Sequence, residues 1–436
     1  MKRTGVFFFC LFWSCMSFAE PVVEEFTLEQ AIRYGLEHSP AQRTMASDVA
    51  AEEAGLGSAR ADRLPRLDLS AGATKYHYPT ATEPFYGAPP NTHFPSAFYT
   101  TIYDAGLAFS LPLYRGGRLS RGVAIAELRR SIAEDMYSMG RQDLIYNLTN
   151  AYYKVLQLEK VVKANDEAVK QFEAHRRDVE FLFQAGTAAK VDILKAETEL
   201  AHARQAALIS RNGLESAYEV LKMLMGIDEM DKRIRLVQDE GRDVEASPIE
   251  QDIQAALNRR PDYQAALKRI KAAEERVALA EGRHYPSLNL TGEYSERAGP
   301  DMEWNENWFI GIRLFIPIFE GGSISAEVGR ARAELMKARE GERALRLEII
   351  REVRDAHLGV ETAMQRMEVA EKAIETAREN VRIEHLRYKA GVGTGTDVID
   401  AQTSLLRAET DYHQAVYDRA IALAALRKAV GKEWEE

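Results

Sequence analysis

The sequence predicts a mainly α-helical chain with a β-barrel portion. Long coiled-coil helix pairs carry four membrane-patterned strands, and those strands close into a barrel only by oligomerisation. Three observations predict this. The second half of the chain repeats the first, the long segments of each half follow a heptad, and the short segments between them alternate apolar and polar residues.

Residues 1–19 read as a signal peptide. Lys2 and Arg3 form a short basic region, Val6 to Trp13 is an unbroken apolar run of 8, and Ser17-Phe18-Ala19 supplies a small-x-small cleavage pattern. The alternative is a lipoprotein acylated at Cys15, in the bulky context Phe12-Trp13-Ser14. Both readings export the chain. Cys10 and Cys15 are the only cysteines, so a chain cut after Ala19 has no disulfide framework, thiol nucleophile or cysteine-ligated metal. Formal net charge is −10 for 436 residues, and loss of Lys2 and Arg3 leaves −12. That balance excludes nucleic acid as the main partner, because phosphate binding calls for a basic surface. No later stretch has 18 uncharged apolar residues, which excludes a transmembrane helix.

The first repeat spans 20–226 and the second 248–431, with a charged linker at 227–247 and a tail at 432–436. Leu36, Pro40 and Pro65-Arg66-Leu67 match Leu257, Pro261 and Pro286-Ser287-Leu288 at an offset of 221. From Leu111 the offset is 205: Leu111-Pro112-Leu113-Tyr114-Arg115-Gly116-Gly117 matches Ile316-Pro317-Ile318-Phe319-Glu320-Gly321-Gly322. Ala185-Gly186, Asp192 and Gly226 match Ala390-Gly391, Asp397 and Gly431 at the same offset. One insertion of 16 residues between Leu69 and Leu111 accounts for the change, in the Pro/Gly/Tyr-rich stretch 78–95 that reads as a loop.

Each repeat reads as helix, two strands, very long helix, tight turn, helix. Ser39-Pro40 reads as N-cap and N1 of a helix running to about Arg63. Strands follow at 67–78 and 98–114, then helices at 117–184 and 190–225 around a turn at 185–189. The second repeat gives a helix near 262–284, strands at 287–297 and 305–319, and helices at 323–389 and 396–430. Stepping 4-3 from Leu144 yields Leu148, Ala151, Val155, Leu158 and Val162; the same steps from Ile349 yield Val353, Ala356, Val360, Ala363 and Met367. A 3.5-residue period means coiled-coil packing. The first long helix, 67 residues from Arg118 to Gln184 at about 1.5 Å per residue, is about as long as the shorter helices of its repeat laid end to end.

In the strands, Tyr103, Leu107, Phe109 and Leu111 alternate with Asp104, Gly106 and Ser110. Trp308, Ile310, Ile312 and Leu314 alternate with Gly311 and Arg313. Alternation over about ten residues, with Tyr76, Tyr78, Tyr99, Tyr103, Trp304 and Trp308 near the strand ends, is the pattern of a transmembrane barrel. A soluble sandwich with one face on a core is the competing reading. Four strands cannot close a barrel and lipid tolerates no open edge, so copies must complete it. Two copies give eight strands and three give twelve.

With these elements in place the chain resembles the outer membrane efflux protein (TolC) family from about Phe26 to Gly431. The resemblance rests on the duplicated Pro65 and Pro286 strand openings, the two Pro-to-Gly-Gly strand-to-helix elements, and the turn Ala390-Gly391-Val392-Gly393-Thr394-Gly395-Thr396-Asp397-Val398. It implies a homotrimer with a 12-stranded barrel in outer-membrane lipid and an α-helical periplasmic tunnel. An adaptor protein then connects it to an inner-membrane transporter, in a tripartite efflux or type I secretion system of a Gram-negative cell. The turns, with Gly186, Thr187, Gly391, Gly393 and Thr394, are the expected adaptor-docking end, since their glycines let the backbone reverse and approach a partner closely. Family aspartates matching Asp397 and Asp400 line a constricted entrance. Three residues apart, these two share a helix face, and symmetry about an axis would gather them into rings of like charge. Their competing role is helix-terminal stabilisation, the role assigned to Asp192. The family's basic residue after the Gly-Thr of this turn is Gly395 here, which puts a charge-locked closed state in doubt.

No catalytic constellation, metal set or cofactor motif is present. The nine histidines lack zinc-site spacing and read as helix-surface residues, and Gly391-x-Gly393-x-Gly395 follows a helix rather than a strand and ends without Gly-Lys-Ser/Thr. A passive exit duct is the expected function. The alternatives are a periplasmic coiled-coil adaptor, which has one hairpin instead of two with strands, and a secreted hydrolase, which needs a nucleophile or metal set.

Overall fold

The computed structural model describes residues 24–83, 97–228, 233–238 and 247–432. The cleavage site, both cysteines, most of the loop at 78–95 and much of the linker lie outside the described residues.

The element order is β1 (Glu24–Phe26), α1 (Leu28–His38), α2 (Pro40–Ala61), β2 (Arg66–Ala81), β3 (Phe98–Arg115), α3 (Arg118–Gln184) and α4 (Lys190–Met225). It continues with β4 (Ile234–Leu236), α5 (Ile249–Arg259), α6 (Pro261–Glu281), a short 3₁₀ turn at Gly282–His284, β5 (Ser287–Ala298), β6 (Trp304–Phe315), α7 (Ser323–Lys389) and α8 (Gly395–Val430). Among the described residues no helix is long and apolar enough to cross a membrane. The coiled-coil seams show in the burial. Along α7, Ile349, Val353, Val360, Ala363 and Ala370 are buried and the flanking positions are mostly exposed. Along α4 the buried positions are Ala196, Leu200, Ala203, Ala207, Ser210, Leu221 and Met225.

Four differences from the sequence reading stand out. Helices α1 and α5, each 11 residues, precede the helices expected to open the repeats. Thr27 and Gln30 announce α1 by a capping box, in which the Gln30 N–H donates to Thr27 Oγ1 (3.2 Å) and the Thr27 N–H to Gln30 Oε1 (2.9 Å). The linker contains β4, which pairs in parallel with β1. Strand β6 stops at Phe315 instead of reaching Phe319, because β5 begins at Ser287 opposite Phe315 and offers nothing beyond it. Finally, His175 is buried and His357 half-buried, where it faces Asp252 (3.0 Å), rather than on the surface.

Two compact units emerge, and α3 and α7 contribute to both. The first holds Met1–Ser39, Leu144–Val244 and Val360–Ala424. In it the buried Tyr152 hydroxyl donates to the Val237 carbonyl (2.6 Å), with the Phe26 carbonyl at 3.1 Å, and so ties the β1–β4 pair to α3. Gly226 ends α4 in the left-handed region (φ 76°) against the His38 carbonyl. The second unit holds Pro40–Asp143, Glu245–Gly359 and Ala425–Glu436. Its helices pack around Ala256, Ile349, Val353 and Ala429. There Arg260 bonds Asp262 (2.7 Å) and Glu352 (2.5 Å), which compensates a largely buried guanidinium.

The second unit also carries a four-stranded antiparallel sheet in the order β2-β3-β5-β6. Its register sorts the side chains. Leu69, Leu107, Tyr294 and Trp308 form one row; Leu67, Phe109, Gly292 and Ile310 the next on that face; Leu111, Leu290 and Ile312 the one after. The opposite face carries Ser70, Gly106, Ser295 and Asn307, and Gly72, Asp104, Arg297 and Asn305. One face is therefore apolar across all four strands and the other polar. Ile102, Phe309 and Phe315, on the polar face, are exceptions.

Candidate functional site

Three features carry the functional argument: the two helix-hairpin turns and the sheet. In the first turn, Gly186 adopts φ 80° and its N–H donates to the Phe183 carbonyl (2.9 Å). The Thr187 and Ala188 N–H groups both reach the Leu182 carbonyl, at 3.0 and 3.2 Å, and Thr187 Oγ1 donates to the same oxygen (3.0 Å). The second turn repeats this geometry. Gly391 adopts φ 72°, and the Val392 and Gly393 N–H groups donate to the Arg387 carbonyl at 3.0 and 3.1 Å. Left-handed residues at these points satisfy the last helical carbonyls and reverse the chain.

The turns differ in their caps. Thr394 and Asp397 form a reciprocal capping box: the Thr394 N–H donates to Asp397 Oδ2 (2.9 Å) and the Asp397 N–H to Thr394 Oγ1 (3.2 Å). In the first turn the corresponding residue is Ala189, so only its N–H reaching Asp192 Oδ2 (3.2 Å) remains. The Thr394 N–H, then the Thr394 hydroxyl and the nearby Arg387, hold the Asp397 carboxyl below the usual carboxylate range. Asp397 is thus occupied in its own chain much as Asp192 is. Asp400, one turn on, is exposed. Lys195 occupies the place of Asp400 in the first repeat, and its Nζ donates to Thr396 Oγ1 (3.2 Å), linking the start of α4 to the second turn.

Sequence reasoning missed His175. It is wholly buried (0% exposed), and neither ring nitrogen has a hydrogen-bond partner. Its ring lies 5.5 Å from that of Tyr388, and Nε2 faces the backbone at Gly395. Burial and then His385 lower its pKa, while Asp178 and the Gly395 backbone oppose them. Burial, Asp192 and Asp178 raise that of Tyr388. The heptad offered no direct signal, since continuing its 4-3 steps from Val162 reaches Phe172, Arg176 and Val179 and passes beside His175. Burial on α3 widens here, to Ala168 and His175 beside the seam residues Phe172 and Val179. Nearby, a groove between α3 and α4 is lined by Glu173, Arg176, Arg177, Glu197, Arg204 and Leu208. Among the described residues, no group of three His, Cys, Asp or Glu side chains could hold a metal ion.

Comparison with known proteins places these features. The model of the outer membrane efflux protein family matches residues 32–227 and 253–432. The outer membrane protein TolC of Vibrio cholerae is 24% identical over 412 residues, 91% of this chain and 88% of that protein. OprJ of Pseudomonas aeruginosa is 25% identical over 426 residues, 94% and 85% of the two chains. The crystal structure of the Campylobacter jejuni CmeC outer membrane channel superposes with a TM-score of 0.81 at 21% identity, covering 93% of this chain and 85% of that one. With helical hairpins, sheet and repeat all accounted for along most of its length, the chain belongs to the outer membrane efflux protein family.

Proposed function

We propose that this outer-membrane protein is the exit duct of a tripartite efflux or type I secretion system, a passive conduit rather than an enzyme. One observation carries the reading. A single chain offers a four-stranded sheet with one apolar face and two unpaired edges, β2 and β6, and such a sheet is unstable in lipid alone. Three copies supply twelve strands, which closes the barrel and leaves a polar lumen lined by Asp104, Ser295, Asn305 and Asn307. The two hairpin turns, with Gly186, Thr187, Gly391, Gly393 and Thr394, and the charged α3–α4 groove beside them are the docking end for a periplasmic adaptor. That adaptor couples the duct to an inner-membrane transporter. Bulky substitution at Gly186 or Gly393 is expected to abolish export while outer-membrane oligomers persist.

Asp397 and Asp400 from symmetry-related chains converge on the axis and form the entrance ring. Converging like charges raise the local cation concentration and favour a bound multivalent ion. Single-channel recording in planar bilayers tests this. Wild type is expected to prefer cations and to be blocked by trivalent metal ions from the periplasmic side. The Asp397→Ala, Asp400→Ala double variant is expected to lose both, and Asp192→Ala to change little. Unchanged block in the double variant returns these aspartates to helix capping.

A further inference from the structure

The helix-proximal end of the sheet carries cations that the chain leaves without counter-charges. Arg115 ends β3, Arg313 lies near the end of β6, and both flank Asn289 of β5. Arg313 stands directly opposite Asn289, and Arg115 Nε donates to Asn289 Oδ1 (3.4 Å). The register puts Ser287, Asn289, Arg313 and Phe315 on the polar face, and Arg115, opposite Ser287, belongs with them. We propose that Arg115 and Arg313, with Asn289 between them and Phe315 alongside, bind organic anions: a carboxylate or sulfonate meets the two guanidiniums while an apolar body lies on the Phe315 ring. The inference rests on the reading of the chain as a duct, and it names a class of cargo for that duct.

Charge is the first argument. Two arginines at this level are neutralised within the chain: Arg66 bonds Asp62 (2.5 Å), while Arg283 bonds Glu327 and lies 3.8 Å from Glu320. Arg115, Arg118 and Arg313 bond no carboxylate among the described residues. Arg118, half-buried at the start of α3, donates instead through Nε to the Arg115 carbonyl (3.0 Å). Burial, then the charges of Arg115 and Arg283, lower the Arg118 pKa, so these guanidiniums feel one another. Like charges held together destabilise a fold, and a bound anion relieves the repulsion. The planar, weakly hydrated guanidinium fork suits a carboxylate or sulfonate. The acidic row of the same face, Asp68 and Glu293, lies toward the loops; Glu293 is four residues along β5 from Asn289, about 13 Å.

The neighbours of the two arginines complete the site. Phe315 follows Arg313 on the same face and is 59% exposed, an aromatic ring left on a polar surface beside cations. Rings of this kind stack with apolar bodies and with guanidinium planes. Because Asn289 Oδ1 accepts from Arg115, its amide NH2 remains as a further donor for an anion. The internal repeat supplies a comparison. At the repeat offsets Asn289, Arg313 and Phe315 match Asp68, Ala108 and Ser110, and Arg115 matches Glu320. Asp68 opposes Ala108 in the register that Asn289 and Arg313 share, so the hairpin forms without this set of side chains. The arginines are therefore not a requirement of the strands, and the site occurs once per chain. Enclosed by low-dielectric walls, such a group of cations focuses its field into the lumen and concentrates anions there.

Block of single channels in planar bilayers tests the site, with naphthalene-2-sulfonate added on the side of the β2–β3 and β5–β6 loops so that it does not cross the hairpin end. Wild type is expected to show concentration-dependent block. The Arg115→Gln, Arg313→Gln double variant is expected to need roughly tenfold more probe. Arg313→Gln alone, a change at an exposed residue without a partner, is expected to need an intermediate amount. Arg297→Gln, on the same face but opposite Asp104, is expected to leave the block unchanged. Phe315→Ala is expected to weaken block by naphthalene-2-sulfonate and not by inorganic sulfate, and neutral 2-naphthol is expected not to block at all. Equal block in wild type and the double variant, or block by 2-naphthol matching that by the sulfonate, overturns the site. Protein that reconstitutes without forming channels overturns the duct reading, and this inference with it; channels that conduct but ignore the sulfonate overturn the inference alone.

Discussion

Gly116 and Gly321 occupy the same point of the two repeats, where a strand turns into a long helix, and both have positive φ (61° and 62°). A β-carbon at Gly116 would collide with the Gly282 carbonyl, whereas at Gly321 nothing lies within 4 Å in the single chain. Gly321→Ala should therefore cost about 1 kcal/mol of backbone strain in monomeric protein, and Gly116→Ala several times that. Chemical denaturation of detergent-solubilised monomer measures the difference; equal losses would show that the Gly282 contact yields freely. His175 gives a residue-scale prediction of pH dependence. Its pKa in the folded state lies below the ordinary 6.5. Its contribution to the fold is thus fully present above about pH 6.5 and is lost as pH falls toward the folded value. The groups facing it are Asp178 on its own helix, His385 and Tyr388 on α7, and the Gly395 backbone at the start of α8, while Asp192 on α4 faces Tyr388. As the pH falls from about 7.5 to 5.5, hydrogen-exchange protection at 385–400 should fall, because opening lets the imidazole take up a proton that the closed state disfavours. His175→Phe should flatten that response; an unchanged profile assigns it to other groups.

At the scale of elements, the natural contrast between the two caps makes an experiment. Thr394→Ala should destabilise α8 by about 1 kcal/mol, and Ala189→Thr should stabilise α4 by a comparable amount, since it would complete the box that Asp192 half forms. Circular dichroism melts of the two variants measure this, and a neutral Ala189→Thr would mean the first turn cannot present a hydroxyl. The long helices were legible because their signals are local and repeated: apolar residues every 3.5 positions, ended by Gly186 and Gly391 at turns needing positive φ. Strand faces were legible because alternation is a property of the strand itself. α1 is hidden although Thr27 and Gln30 advertise it, because Ser39-Pro40 reads as the start of the repeat's first helix while Ser39 also ends α1. The burial of His175 was not legible, since it depends on Tyr388 and Gly395, more than two hundred residues away in sequence. The end of β6 was misjudged for a related reason: alternation continues through Ile318, but a strand also needs a partner, and β5 has run out.

For the whole molecule, the edges β2 and β6 lack a neighbour within one chain, so under the proposed barrel stability becomes a property of the assembly. The unfolding midpoint of the detergent-solubilised protein should rise with protein concentration, and heat should convert the oligomer to a faster or slower migrating monomer on gels. A midpoint independent of concentration over about a hundredfold range would mean that the edges are satisfied within one chain. The two hairpins share one register, since Leu67 opposite Phe109 and Leu69 opposite Leu107 match Leu288 opposite Leu314 and Leu290 opposite Ile312 at the repeat offsets. Arg60 to Glu127 in one repeat recurs as Glu281 to Arg332 (2.9 Å) in the other with the charges exchanged, so the halves keep a contact while differing in its chemistry. Two like hairpins in a single chain can carry different residues at matching positions, which two identical chains cannot, and that is how Lys195 stands in one hairpin where Asp400 stands in the other.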